Sequence, residues 1–358
     1  MKKTLVALAV LAASGASFAQ VTMSGEFTWG FKSTTNSRAV AAVGSTAYSM
    51  GSAAVAGGAD SSGFGVDYSN INFAASEDLG NGVKVAVKMG IDGADRSGDG
   101  VGGPTSGQDA NITLTGGFGK LMLATMENTQ YLGNGIAAAG DPVWIDMDNK
   151  VQSAKTNGDR IQYSYAFGPV TLGLQHLEAA AGLGEGVGQT GNTAPAQRRN
   201  LIEATYAAGA LTANVGYAQY DNQMDYAAAV VAVPNVSTAV AALNTNTNRV
   251  RGSANYDLGV AKIGFGIEKT NKARGSQTDT FLGANAPIGA LTLGVSWASN
   301  KLDTDGTGTD GTKMGYGIGA AYALSKRTQL IANFRSWEDT INAATRSTDT
   351  RVYIDHSF

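Results

Sequence analysis

The stretch GVKVAVKM (82–89) alternates between apolar and polar or small side chains with a period of two. One face carries Val83, Val85, Val87 and Met89, and the other carries Lys84, Ala86 and Lys88. This period predicts a β-strand with two different faces. In a soluble sheet protein the valines would face a core, whereas in a membrane barrel they would face lipid and the lysines would face water. The environment of each face therefore decides the fold class.

The proportion of charged residues is low. Only 15% of the 358 residues are charged, whereas soluble domains average about 25%. The chain has 48 glycines and no cysteine, so disulfide bonds do not contribute to its stability. Its formal net charge is -3, which argues against nucleic acid as a partner.

The first residues resemble a secretory leader. A basic start at Lys2 and Lys3 precedes an apolar run from Thr4 to Ala13, and a small-x-small pattern ends at Ala19. This arrangement predicts a cleaved signal peptide over residues 1–19 and a mature chain over 20–358. No later run approaches the roughly 20 apolar residues of a transmembrane helix.

Alternating segments recur along the mature chain, as in RIQYSY (160–165) and LTLGVSW (291–297). Counted with their turn signals, sixteen such segments predict strands. They span residues 21–32, 64–77, 82–91, 108–116, 119–127, 157–167, 169–178, 198–208, 210–221, 247–257, 260–270, 276–286, 289–300, 312–323, 327–338 and 348–358. Short connections alternate with long ones at 33–63, 92–107, 128–156, 179–197, 222–246, 301–311 and 339–347, with 271–275 as a brief member of the long class.

Aromatic residues mark both ends of these segments and are candidates for two aromatic girdles on the outer surface. Three positions before the short turns stand Tyr165, Tyr206, Tyr256 and Tyr322, and near the opposite ends stand Trp29, Phe31, Trp297 and Trp337. We therefore predict an all-β fold, a 16-stranded antiparallel transmembrane β-barrel with short periplasmic turns and long external loops. The lysines of 82–89 would then face a lumen too wide for side chains to fill.

Three stretches resemble the general porins of Gram-negative outer membranes, in particular the beta-proteobacterial type. They are SEDLGNGVKVAVK (76–88), YALSKRTQLIANF (322–334) and the closing RVYIDHSF (351–358). The resemblance implies a homotrimer in the cell outer membrane, surrounded by lipid and lipopolysaccharide, that passes ions and small hydrophilic solutes. It also implies that the third external loop folds inward and that the barrel assembly machinery reads Phe358.

The same resemblance suggests which charges line the narrowest point. Acids of the third loop would face basic residues of the barrel wall across the pore. The candidate acids are Glu127, Asp141, Asp146 and Asp148. The candidate bases are Lys32, Lys84, Lys88, Lys155, Arg160 and Arg351.

Two departures from the family pattern affect the expected selectivity. The family commonly has arginines where this chain has Asn70 and Thr125. Because two contributors to the basic wall are missing and the net charge is acidic, we expect a weak preference for cations.

Other functions have less support in the residues. The only two histidines, His176 and His356, share faces with apolar neighbours and would point to lipid, so a histidine base beside a lumenal nucleophile is not predicted. We predict no enzyme activity, cofactor or metal, since the Asp/Gly-rich segments 92–100 and 303–311 lack EF-hand spacing. A solute-specific porin, a plugged barrel acting as a surface adhesin, and a soluble secreted β-sandwich remain alternatives.

Overall fold

The computed structural model describes most of the chain beyond its first residues. The described residues are 20–35, 60–93, 106–127, 132–134, 137, 143–152, 157–179, 197–222, 246–306, 310–342 and 345–358. The predicted leader, together with Asp141 and Lys155, lies outside this set, and so does the side chain of Glu127.

Sixteen strands occupy the described residues. They are β1 Gln20–Thr35, β2 Ser61–Gly80, β3 Val83–Asp92, β4 Ser106–Gly116, β5 Gly119–Glu127, β6 Asn157–Phe167, β7 Val170–Ala179, β8 Gln197–Ala208, β9 Leu211–Asn222, β10 Asn246–Asp257, β11 Lys262–Lys272, β12 Ser276–Ile288, β13 Leu291–Asp303, β14 Gly311–Ala323, β15 Thr328–Trp337 and β16 Ser347–Ser357. Each coincides with a predicted strand to within a few residues. The largest extension is in β2, which was expected over 64–77.

The strands form one closed antiparallel barrel in which each strand pairs with its neighbours in sequence. Closure occurs where β1 pairs with β16, in a register that places Glu26 opposite Ser357. At the end of the chain, the amide of Phe358 donates to the carbonyl of Gly25 and the amide of Gly25 donates to the carbonyl of Phe358, both at 3.0 Å. Closure pairs every strand on both sides, so the sheet has no free edge. The predicted fold class is confirmed.

The register also shows which face of β3 is internal. Lys88 lies opposite Ala74 of β2, and Ala74 shares its face with Asn70 and Tyr68. The ring of Tyr68 contacts Trp144, part of the connection between β5 and β6, at a centroid distance of 5.9 Å. Lys84 and Lys88 therefore face the lumen, and the valines and Met89 face outward.

A short helix, α1 (Met147–Val151), and a single 3-10 turn (Leu132–Asn134) lie between β5 and β6. No helix among the described residues is long and apolar enough to cross a bilayer. At the opposite end of the barrel, tight turns place Gly209 at φ 57° and Gly289 at φ 63°. Glycine adopts this left-handed region without steric cost, which explains its presence there.

One predicted aromatic position is wrong. Trp337 was expected on the outer surface, yet it shares the inner face of β15 with Arg335 and is 5% exposed. Its indole N–H donates to Asp339 at 2.7 Å. The alternation of β15 already predicts this inward position, because Trp337 stands two residues after Arg335.

Candidate functional site

Loop 3 is defined as residues 128–156, and its described residues 132–134, 137 and 143–152 include several that pack against the inner wall of the barrel. Val143, Ile145, Met147 and Val151 are fully buried there. Opposite them, β14 has only glycine at three successive inward positions: Gly315, Gly317 and Gly319. A Cβ at Gly319 would lie 2.9 Å from Cγ2 of Val143, and those at Gly317 and Gly315 would collide with Ile145 and Met147. The three glycines thus form a track that receives the loop.

Polar contacts attach the same part of loop 3 to β15. Arg335 donates through Nη1 to the carbonyl of Ile145 at 3.0 Å. Asn333 donates through Nδ2 to the carbonyls of Val143 at 3.1 Å and Trp144 at 3.0 Å. Trp144 itself has a left-handed φ of 51°, which is unusual for a side chain of its size. These contacts hold the loop in a conformation that it would rarely adopt alone.

We call the inner faces of β13–β16, where loop 3 is packed, the docked wall. Behind the loop, Asp349 is 1% exposed and accepts a hydrogen bond from Nη2 of Arg335 at 2.8 Å. Arg351 pairs with Asp349 at 3.2 Å and with Asp67 of β2 at 3.3 Å. Lys32 lies 3.9 Å from Asp349. Two of the predicted pore bases, Lys32 and Arg351, are therefore placed in an ion-pair network beside the loop.

Lys150 of α1 joins this network from the loop side. Its Nζ lies 4.8 Å from the centre of the Trp337 ring. Burial lowers the pKa of Lys150 to about 7, and repulsion from Arg335, Arg351 and Lys32 acts in the same direction, whereas Asp349 opposes it. Lys150 therefore titrates near neutral pH.

The described acids of loop 3 do not form a row facing the pore. Asp148 is 2% exposed and accepts a hydrogen bond from the amide of Gly133 at 2.8 Å, so it joins α1 to the 3-10 turn. Asp146 precedes α1 with a left-handed φ of 45° and lies close enough to Arg335 to influence it electrostatically. Glu127 ends β5, opposite Asn157.

The inner faces of β6–β10 form a second charged surface, which we call the arginine wall. It borders a cavity of about 340 Å³ that Leu132 of loop 3 also lines. Arg160 is the only predicted site residue among its lining side chains. Three further arginines line the cavity: Arg199, Arg249 and Arg251.

Neighbouring side chains orient the arginines of this wall. Arg199 donates to Oε1 of Gln175. Gln175 in turn donates through Nε2 to Gln162 at 3.3 Å. On β10, the guanidinium of Arg249 lies 5.8 Å from the centre of the Tyr220 ring. Arg249 and Arg251 both pair with Glu268 of β11.

The remaining predicted bases, Lys84 and Lys88, are exposed on the inner face of β3. Lys84 lies opposite Thr115, close to the short turn that joins β2 and β3. Neither lysine lines the cavity beside the arginine wall. The structure therefore divides the five described predicted bases among three surfaces.

Sequence reasoning missed Arg199, Arg249 and Arg251, although a signal was present. In NRVRG (248–252), Val250 separates Arg249 from Arg251, so that the arginines share the face opposite an outward valine. Alternation along β8 likewise places Arg199 inward, because its neighbours Arg198 and Asn200 belong to the opposite, outward face. These three arginines belong neither to loop 3 nor to the stretches that resemble the family.

Comparisons with known proteins agree with this architecture. The family described as Gram-negative porin matches residues 4–341 of this chain. Outer membrane porin protein 32 of Delftia acidovorans is 28% identical over 354 residues, covering 93% of this chain and 88% of that protein.

Solved structures share the fold. An anion-selective porin from Comamonas acidovorans has a TM-score of 0.64 at 19% identity and covers 95% of this chain and 100% of that one. A loop L8 deletion mutant of OmpT, an outer membrane protein of Vibrio cholerae, has a TM-score of 0.62 at 11% identity, with coverages of 95% and 99%. Since the family match spans nearly the whole chain and the closed barrel is shared, this chain belongs to the Gram-negative porin family and forms a diffusion channel for ions and solutes in the outer membrane.

Proposed function

We propose that the passage between loop 3 and the arginine wall is the constriction of this channel, and that it limits permeating solutes by size and charge. Leu132 of loop 3 and Arg160 of the wall line the same cavity, which supports this proposal. Small hydrophilic solutes and ions would move down their gradients without catalysis. The two histidines fit this role, because His176 and His356 belong to the outward faces of β7 and β16.

We further propose that the constriction prefers anions, in contrast to the weak cation preference expected from the sequence. At and beside the docked wall, Lys32 pairs with Asp349, and Arg351 pairs with Asp349 and Asp67, so these acids offset the charge of both bases. The carboxylate of Asp148 accepts a hydrogen bond from the amide of Gly133 within loop 3. The observation that carries the proposal is the set of four arginines around one cavity. The anion selectivity named for the Comamonas porin is consistent with it.

The test is the zero-current potential of the purified protein in a planar bilayer under a tenfold KCl gradient. If anions permeate faster, chloride diffuses to the dilute side and makes that side negative. A dilute side that becomes positive contradicts the anion preference. Stepwise currents are required in either case, and folded protein that conducts no current would overturn the assigned constriction.

Several partner and processing assignments are part of the same proposal. We propose a homotrimer, contact with lipopolysaccharide, and recognition of Phe358 by the barrel assembly machinery. The exposed ring of Phe358, at the end of a chain that is paired with β1, supports the last of these. Currents that close in three equal steps test the trimer, and reduced outer-membrane yield of Phe358→Ala tests the assembly signal. N-terminal sequencing of the exported protein should begin at Gln20 if residues 1–19 are cleaved.

A further inference from the structure

Lys150 of α1 is a cation that lies among other cations at the docked wall. Its side chain is partly buried, and its Nζ lies 4.8 Å from the centre of the Trp337 ring. The guanidinium carbon of Arg335 lies 5.9 Å from the same ring centre. Arg335, Arg351 and Lys32 repel the ammonium group, and Asp349 attracts it. Within the described part of the chain, no acid forms an ion pair with Lys150.

The acids of this region have partners other than Lys150. Asp349 pairs with all three of the cations named above. Asp148 accepts a hydrogen bond from a backbone amide of the 3-10 turn, and Asp339 accepts one from the tryptophan indole. The other charged side chains beside α1 are Asp146 of loop 3, Asp67 of β2 and Lys313 of β14. Lys150 is therefore a cation without a carboxylate of its own among the described residues.

An ammonium group in these surroundings loses its proton near neutral pH. Burial lowers the pKa of Lys150 to about 7, and the repulsion adds to this. At pH 7 about half of the molecules thus carry a neutral amine at this position. An ordinary lysine is neutral in about one molecule in 2,500 at that pH. The neutral amine has a lone pair, so it is a nucleophile, and the ammonium ion is not.

The same surroundings favour a negative charge at the end of this side chain. Cations that repel an ammonium group attract a carboxylate. The Nε–H of Arg335 is buried and has no hydrogen-bond acceptor among the described residues. Guanidinium groups form strong, charge-assisted hydrogen bonds with carboxylates. The cation cluster therefore complements a Lys150 side chain that has gained a carboxylate.

We propose that Lys150 is a carbamylation site, at which dissolved carbon dioxide (CO2) adds to the amine and the surrounding cations stabilise the product. The lone pair of Nζ attacks the carbon of CO2, an N–C bond forms, and the electron pair of one C=O π bond moves to oxygen. Nζ then releases one proton to water. The product is a carbamate with one negative charge, and nothing is oxidised or reduced. Since CO2 is small and uncharged, it can reach a partly buried amine from the water of the pore.

The modification has a consequence for the channel. It replaces a cationic group of loop 3 with an anionic one, so anion preference should fall when CO2 is added at constant pH. This consequence rests on the function proposed above. The carbamate itself does not, because its formation depends only on Lys150 and its neighbours.

The experiment exposes the purified, folded protein to a fixed concentration of dissolved CO2 and then adds a trialkyloxonium salt, which converts a carbamate into a stable ester. Trypsin does not cleave after a modified lysine. Labelled protein should therefore yield peptide 121–155, whereas unmodified protein yields peptide 121–150. The yield of labelled peptide should rise between pH 6 and pH 8, because the neutral amine is the form that reacts.

Matched variants separate a built site from general lysine reactivity. Lys150→Arg keeps the positive charge but removes the amine, so it should give no label at this position. Lys88, exposed on the inner face of β3, should carry at least about tenfold less label than Lys150. Lys32→Met removes one cation of the cluster and should lower the yield at Lys150 several-fold. Lys88→Met makes the same change outside the cluster and should leave that yield unchanged.

Each outcome bears on the site. Protein that resists unfolding in cold SDS and gives no labelled peptide 121–155 overturns the carbamylation site. Equal label at Lys150 and Lys88, or equal yields from Lys32→Met and Lys88→Met, overturns the role of the cation cluster and the site with it. Trapping requires no current, so its failure leaves the proposed channel function standing. A trapped carbamate that leaves the zero-current potential unchanged confirms the site and contradicts the assigned constriction.

Discussion

The docked wall and the arginine wall use the same residue type for different purposes. Arg335 and Arg199 both alternate with outward neighbours and both point into the barrel. Arg335 donates to a loop 3 carbonyl and to a buried carboxylate, so it holds structure. Arg199 donates to Gln175 and lines a cavity. The comparison teaches that the role of an inward arginine depends on its surroundings: an arginine under loop 3 holds structure, and one beside a cavity contributes to the pore wall.

The largest expected difference between the walls is in stability. Arg335→Gln should lower the free energy of unfolding by about 3 kcal/mol, because removing one partner leaves Asp349 buried without its closest cation. Arg199→Gln should lower it by about 1 kcal/mol, because the change disturbs a hydrogen bond to the neutral side chain of Gln175. Urea unfolding in detergent, followed by tryptophan fluorescence, measures both. Equal losses of unfolding free energy in the two variants would contradict the distinction between the walls.

The glycine track offers a second way to test the docked wall. Gly317→Ala introduces a methyl group that meets Ile145, and we expect a loss of about 1–3 kcal/mol together with unsteady single-channel current. Gly252→Ala is the control, because a Cβ there meets nothing within 4 Å. A steady current of unchanged size in Gly317→Ala would show that loop 3 does not depend on the track.

Changes in the arginine wall should affect selectivity more than stability. One unit charge about 7 Å from a permeating ion in water contributes about 0.6 kcal/mol, or close to threefold in permeability. Arg199→Gln should therefore lower anion permeability about threefold and move the zero-current potential toward the cation-selective sign. Arg327→Gln controls for the change in net charge. Identical potentials in the two variants would place the selective field elsewhere in the pore.

The smallest effect concerns pH and comes from the docked wall. Because the pKa of Lys150 is lowered to about 7, lowering the pH from 8 to 6 adds a proton and one positive charge at loop 3. Anion preference should rise slightly over this interval. Lys150→Met should abolish the rise. A pH response that persists in Lys150→Met would assign it to another group.

The fold was predictable because its signals are local. Alternation along each strand, as in 82–89, and short turns opposite long connections are sufficient to predict sixteen strands and a closed barrel. Even the inward position of Trp337 follows from parity within β15. The face of each side chain is thus encoded within a few residues of it.

The constriction was less predictable because it depends on contacts between distant segments. In the sequence, Asp148 has the features of an exposed loop acid. In the structure it is buried and accepts a hydrogen bond from the amide of Gly133, a contact with a distant part of the loop. Arg351 has the pattern of a pore base, and its pairing with Asp67 depends on closure of the barrel. Loop 3 determines which inward residues a solute can meet, and its path across the barrel has no period that can be read from the sequence.

The most direct test of this division is anomalous diffraction from crystals soaked in bromide. Bromide replaces chloride in the pore and marks where mobile anions meet the wall. We predict bromide peaks within contact distance of Arg199, Arg249 or Arg251, and none between Arg335 and Asp349. Peaks on the docked wall, with an empty arginine wall, would contradict the account.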